Sequence, residues 1–316
     1  MEQKQLGKTD LKIAPLAFGG NVFGWTIDEQ TSFQLLDAFV AGGMNLIDTA
    51  DVYSKWVPGN KGGESETIIG NWMNKRNNRR SVIIATKVGG DMGQGKKDVS
   101  RKHILEAVEN SLKRLQTDYI DLYQTHWDDD TTPVEETLEA YSQLIKEGKV
   151  RWIGASNISL ERLKASLAAS DQNGYPRYET LQPLYNLYER KDFEETFQQF
   201  CVDNNISTIT YFSLASGFLT GKYRSDADLS KSQRGGGAKK YLNERGFKIL
   251  AALESVAKEC GSALASISLA WLMSRPSVAA PIASATNPEQ LTSLLASTTL
   301  KLSSDALKIL NDASEY

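Results

Sequence analysis

A (β/α)8 TIM barrel of the α/β class, with an N-terminal hairpin and an extra C-terminal helix, is the fold this sequence predicts. Three observations predict it. Short apolar runs recur along the chain, with strand ends expected at Gly20, Asp48, Lys87, His126, Ala155, Gln182, Tyr211 and near Ala283. Between them lie segments of helical period, and each interval fits one helix with its loops. An open doubly wound sheet of this size usually shows GxGxxG after its first strand, and that motif is absent. The 316 residues suit one barrel, no linker divides them, and residues 1–316 read as one domain.

Each element has a local reason. Residues 4–13 contain Leu6-Gly7-Lys8-Thr9-Asp10-Leu11, two brief strands around a polar turn. Residues 15–18 form the first barrel strand, closed by Gly19-Gly20. Residues 30–41 place Phe33, Leu35, Leu36, Phe39 and Val40 at helical spacing and stop at Gly42-Gly43. The run from Met44 to Ile47 is a second strand that ends in Asp48. Helical patterns follow over 64–74, 100–115 behind a Ser100 cap, 133–145 and 159–167 behind Ser159. Strands at 82–86 and 119–125 lead into Lys87 and His126. Residues 213–240 form a long polar loop with Gly235-Gly236-Gly237, a length that is usually functional. Residues 303–314 space Ala306, Leu307, Ile309 and Leu310 as an extra helix.

Composition narrows the function classes. The chain is 41% hydrophobic and 24% charged, with net charge −3, so neither nucleic acid nor an anionic membrane surface is expected as a partner. Cys201 and Cys260 form no CxxC, and the first residues show no apolar leader, so a cytoplasmic location is expected. His103 and His126 are the only histidines, too few for a histidine-based metal site, and no metal is expected. Gly90-Asp91-Met92-Gly93-Gln94-Gly95-Lys96 imitates a phosphate loop, but Lys97 stands where a metal-holding hydroxyl is needed. Oligomeric state is not encoded legibly.

Asp48, Lys87 and His126 close three consecutive expected strands, and Tyr53 follows in the second loop. Strand ends share one face of a barrel, and chemistry gathers there. A buried aspartate needs a cation, and Lys87 supplies one. Tyrosine ionises near about 10; a lysine within hydrogen-bond reach is expected to lower that value, with Asp48 holding the lysine. His126 offers a ring N–H to a carbonyl oxygen. The four suit protonation of a developing alkoxide, half of a carbonyl reduction; the hydride must come from a nicotinamide. Singly, each residue has an ordinary structural explanation, and only the complete set points to catalysis.

Leu6-Gly7-Lys8-Thr9, Asp48-Thr49-Ala50-Asp51-Val52-Tyr53 and Asn287-Pro288-Glu289-Gln290-Leu291 carry a resemblance that runs end to end. The chain resembles the aldo-keto reductases, in particular the potassium-channel β-subunit-like branch. That resemblance implies a tetrad of Asp48, Tyr53, Lys87 and His126, with Tyr53 the general acid. It implies NADP(H) as cofactor. Ser156 and Asn157, with Gln182, would hold the carboxamide, and Tyr211 would stack under the nicotinamide. The segment after it, with Phe212, Ser213, Leu214, Ser216, Gly217 and Lys222, resembles the pyrophosphate loop. Thr286 and Arg234 would share the 2′-phosphate, Gln290 would lie near the adenine, and Gly20, Asn21 and Ser284 complete the set. Phe212 and Ser213 depart from the family's usual Ser-Pro, and Thr286 stands where many relatives have arginine. Channel-subunit relatives can carry asparagine at the histidine position; this chain has His126.

The loop itself holds Lys222, Arg224, Lys231, Arg234, Lys239 and Lys240 against Asp226 and Asp228, a basic belt on an acidic protein. A polyanionic ligand fits that belt, and NADP(H) better than NAD(H). Trp25, Trp56 and Trp127 fall on loops at the same face and are expected to wall an apolar pocket for an aldehyde or ketone. Two alternatives stand beside the reductase reading. One is a cofactor-sensing regulatory subunit with little turnover, and the other a metal-dependent hydrolase using His126, Asp128 and Asp129.

Overall fold

Eight parallel strands close on themselves, and the chain supplies them almost in the expected places. The structure, a computed structural model, describes residues 3–316; Met1 and Glu2 lie outside the described residues. Strands β1 (Lys4–Gln5) and β2 (Lys12–Ile13) pair antiparallel as the expected hairpin. The barrel then alternates β3 (Ala17–Gly19), α1 (Glu29–Ala41), β4 (Leu46–Asp48), α2 (Glu64–Arg76), β5 (Ile83–Val88) and α3 (Arg101–Leu115). It continues with β6 (Ile120–Thr125), α4 (Val134–Lys146), β7 (Val150–Ser156), α5 (Leu160–Asn173) and β8 (Tyr178–Gln182). A helical stretch follows, α6 (Lys191–Phe193) and α7 (Gln199–Asp203) joined by a π turn, before β9 (Ser207–Thr210). Next come α8 (Glu244–Cys260), α9 (Leu264–Met273), β10 (Val278–Ala283), α10 (Pro288–Ala296) and the extra helix α11 (Ser304–Ala313). Strand β10 pairs with both β9 and β3, which shuts the ring.

Two apolar layers hold the barrel. Inside it, Ala17, Leu46, Ala85, Leu122 and Ile209 meet Leu6, Leu11 and Ile13 of the hairpin, so the hairpin plugs one end. Outside it, each helix turns an apolar stripe to the strands. In α3 that stripe is Ile104, Val108, Leu112 and Leu115, at the spacing of one helix face. Ser100 and Ser159 accept the backbone N–H groups of His103 and Arg162, as N-caps should.

Boundaries differ where a stop signal lies further on. Helix α5 runs to Asn173, beyond the expected end at 167, because the next residue able to turn left-handed is Gly174. The expected strand end at Gly20 falls one residue earlier, and Gly20 opens a short 3-10 turn instead. Strand β9 stops at Thr210, and Tyr211 makes only an isolated bridge to Leu184. The long polar loop is more ordered than its composition suggests. It forms three 3-10 segments, Ala215–Thr220, Asp226–Lys231 and Gly235–Tyr241, anchored by buried Phe218, Tyr223 and Tyr241. These aromatics turn it into a strap over the ends of the strands. The GxxxxGK imitation lies in a run of bends between β5 and α3.

Candidate active site

The register of the sheet sets the site. Asp48 lies opposite Gly19 on one side and Ala85 on the other, so its carboxylate emerges at the ends of β3, β4 and β5. Lys87 is two residues further along β5 and points the same way, because strand side chains alternate. Its ammonium is wholly buried and uses three protons: to Asp48 Oδ2 at 2.7 Å, to the Thr49 carbonyl at 2.7 Å and to Tyr53 Oη at 2.9 Å. The Tyr53 hydroxyl also lies 3.4 Å from Asp48 Oδ2, as a weak donor to it. Gln182, at the end of β8, donates to Asp48 Oδ1 at 2.8 Å. Asp48 is thus held on both oxygens, and a buried ion pair is tolerable only when so satisfied.

His126 follows β6, with its backbone N–H bonded to the Val88 carbonyl at 2.7 Å. Its ring stacks on Trp127 at 3.6 Å between centroids and meets Tyr53 edge-on at 5.9 Å. Burial, and then the nearby Lys87 charge, hold the imidazole well below its usual range, so the ring is neutral with one N–H. Burial also lowers the Lys87 ammonium, while Asp48 opposes that shift. For Tyr53 the expectation was a lowered value, and the structure gives the opposite. Burial and the adjacent Asp48 carboxylate raise it well above 10, with the Arg234 charge acting against them. The phenol is held protonated.

One cavity of about 900 Å³ joins this quartet to the strap. Asp48, Tyr53 and His126 face it, whereas Lys87 lies beneath. Its wall includes Asn21, Ser156, Asn157, Gln182, Tyr211, Phe212, Ser213, Leu214, Ser216, Gly217, Lys222, Arg234, Ser284, Thr286 and Gln290. Gly20 is off the wall, and neighbouring Gly19 lines it instead; a side chain on Gly19 would meet Ser284 Oγ at 2.6 Å. Trp56 and Trp127 are on the wall. Trp25 is not: it backs Trp56 edge-on at 5.4 Å, a second layer rather than a pocket surface.

Polar side chains on the wall fix one another. Asn157 donates to the His126 carbonyl at 2.8 Å and to Ser156 Oγ at 3.0 Å, while Tyr211 donates its hydroxyl proton to Asn157 Oδ1 at 3.0 Å. Ser284 donates to Asn21 Oδ1 at 2.8 Å, and the Thr286 N–H donates to Gln290 Oε1 at 2.9 Å. Phe212, Ala215, Ser216 and Gly217 all take positive φ, so the strap's first turn is not a regular helix, and its Ala215 and Gly217 N–H groups bond to the Phe212 and Leu214 carbonyls at 2.7 and 2.8 Å. Among the described residues neither Lys222 nor Arg234 forms an ion pair with an acid, although both line the cavity. Two cations without acid partners, a helix start at Asn287 and a long cavity ending at Asp48 fit an elongated polyanion.

Some residues were not singled out from sequence. Gln124 reaches Asp48 Oδ1 at 3.5 Å; it shares the inward parity of Leu122 and His126, a signal that was available. Gln233, Asn287 and Ala265 also line the cavity, and only fold closure brings them there. Asp51 is buried behind the quartet with both carboxylate oxygens unpartnered, and burial together with Glu66 pushes it up to about 8. Asp128 and Asp129 are engaged elsewhere, the first by Arg162 at 2.5 Å and the second by Thr132 and its own loop. Among the described residues no cluster of acids, histidines and cysteines could hold a metal, and no helix is long and apolar enough to cross a membrane.

Comparison with known proteins points to one family. The model of the Aldo/keto reductase family matches residues 15–315. The chain is 36% identical to "Aldo-keto reductase YhdN" of Bacillus subtilis, over 93% of this chain and 86% of that protein. It is 32% identical to "Protein tas" of Escherichia coli, over 97% and 96%. It is 34% identical to a "Probable voltage-gated potassium channel subunit beta" of Arabidopsis thaliana, over 92% and 89%. With a family model matched over nearly the whole chain and relatives this similar along most of their length, the chain belongs to the aldo/keto reductase family.

Proposed function

We propose that this protein reduces aldehydes or ketones to alcohols with NADPH, as a carbonyl reductase of the alcohol dehydrogenase type. The observation that carries the reading is Lys87, wholly buried and donating at once to Asp48 and to Tyr53 Oη. Bound NADPH supplies the hydride. Tyr53, held protonated by burial and Asp48, keeps its proton until a carbonyl oxygen gains charge beside it. Lys87 then stabilises the phenolate left behind, with Asp48 and the Thr49 carbonyl keeping the ammonium in place. Neutral His126 directs its N–H to the same oxygen and orients the carbonyl. Ser156, Asn157 and Gln182 would hold the carboxamide, Tyr211 would support the nicotinamide ring, and Lys222 would meet the pyrophosphate. Arg234 and Thr286 would select the 2′-phosphate, which favours NADP(H) over NAD(H), and Gln290 would lie near the adenine.

The likeness to channel β subunits supports a second reading, a cofactor-binding sensor with little turnover. Turnover separates the two. Purified protein is mixed with NADPH and a panel of aromatic and aliphatic aldehydes, and loss of NADPH absorbance is followed. Steady oxidation supports the reductase; tight NADPH binding without oxidation on any aldehyde supports the sensor.

A further inference from the structure

Phe212 combines three unusual properties. It has φ +50, a left-handed conformation that a bulky side chain rarely adopts because Cβ crowds the neighbouring carbonyl. The residue is 46% exposed although it lines the cavity. Its backbone is also held in place: Asn186 Nδ2 donates to its carbonyl at 3.0 Å and the Ala215 N–H to the same oxygen at 2.7 Å. Glycine or asparagine would take this conformation with less strain, so the turn alone does not account for an aromatic ring.

Trp56 is its counterpart. At 49% exposure it is the other exposed large apolar residue on the cavity wall among the described residues. Trp56 follows β4 and Phe212 follows β9, and around the closed ring β10 and β3 lie between those strands. The two side chains therefore rise from well-separated points of the mouth, not from adjacent loops. Each is tied to a deeper ring: Trp56 meets Tyr53 edge-on at 6.1 Å, and Phe212 meets Tyr211 at 5.4 Å. The floor between them is polar, with Asp48, His126 and Gln182.

We propose that Phe212 and Trp56 form an apolar clamp at the mouth that grips the part of the substrate remote from its carbonyl. The substrate class is then carbonyl compounds with an alkyl chain or aromatic ring long enough to reach from Tyr53 to the rim. Covering two water-exposed aromatic faces supplies binding energy away from the reacting atoms, which orients the carbonyl below. The inference rests on the reductase reading of the Tyr53 site.

The test is the ratio of kcat/KM for decanal to that for propanal, in wild type, Phe212→Asn, Phe212→Tyr and Trp56→Ala. Asparagine accepts the left-handed backbone, so loss of the ring is separated from loss of the turn. The ratio is expected to fall about tenfold or more in Phe212→Asn and Trp56→Ala, through KM for decanal, and to return in Phe212→Tyr. A ratio unchanged in Phe212→Asn overturns the clamp, including the case where NADPH affinity drops and all aldehydes suffer alike. If the wild type reduces neither of these nor any aldehyde of the panel, the reductase reading fails, and the clamp is read from the change in tryptophan emission as decanol is added. Weaker decanol binding in Phe212→Asn then supports the clamp, and equal affinity overturns it.

Discussion

Replacing Asp51 by asparagine should stabilise the protein at neutral pH, and increasingly so as pH rises. Asp51 is buried with neither oxygen partnered. Around it stand Glu66 of α2, Arg114 of α3, Lys87 of β5 and the Tyr123 hydroxyl of β6. Arg114 is engaged by Glu66 and Lys87 by Asp48, so neither is free to neutralise it. Burial, reinforced by Glu66, pushes the carboxyl from 3.8 to about 8, whereas in the unfolded chain it ionises near about 3.9. The folded value lies above the unfolded one, so the folded state binds the extra proton. The stability linked to Asp51 is full below about pH 4 and is lost as pH rises toward about 8. At about 1.4 kcal/mol per unit, the loss is about 1–2 kcal/mol at pH 5 and about 4 kcal/mol at pH 7. Asparagine has nearly the same shape and stays neutral in both states. Urea unfolding of both proteins, followed by far-ultraviolet circular dichroism across this range, reads the difference. The expected gap widens by about 1.4 kcal/mol per pH unit until it levels off near about 8. A gap independent of pH refutes a protonated, unpartnered Asp51.

Two other substitutions probe the quartet and the strap. Lys87→Met leaves Asp48 buried without its cation and should destabilise the fold by about 3–5 kcal/mol, with Asp48→Asn in the same chain recovering most of it. Denaturant titration of both checks this, and a loss in the double variant equal to the sum of the singles would contradict it. Arg234→Met should weaken NADPH binding by about tenfold or more while changing NADH binding far less; fluorescence titration with each cofactor decides, and equal losses would remove Arg234 from the 2′-phosphate.

The fold was legible because its signals are local. A buried strand ending in an acid, as at Asp48, demands a cation, and Lys87 closes the next strand at the same inward position. Ser100 and Ser159 mark helix starts by their side-chain caps, whereas Gly174, which ends α5, lies beyond the expected end at 167. What stayed hidden depends on closure. Trp25 was assigned to the pocket from its position after the first strand, but Trp56 takes the wall and leaves Trp25 behind it. The upward shift of Tyr53 follows from the depth of its burial and its approach to Asp48, neither of which spacing reveals. The loop at 213–240 reads as polar from its composition, yet Phe218 and Tyr223 within it and Tyr241 just after it sink into the protein and make it a strap. Asp51 carried no signal beyond its neighbours, since α2 and α3 seal it only once they pack.

The most direct test of the central claim compares NADPH oxidation by wild type and Tyr53→Phe with an aldehyde that the wild type reduces, alongside NADPH binding by fluorescence. The account predicts that phenylalanine, which keeps the ring and loses only the hydroxyl, lowers kcat by about a hundred- to ten-thousandfold with NADPH affinity retained. Turnover within a few-fold of wild type would show that the proton comes from elsewhere, and the role assigned to Tyr53, Lys87 and Asp48 would be wrong.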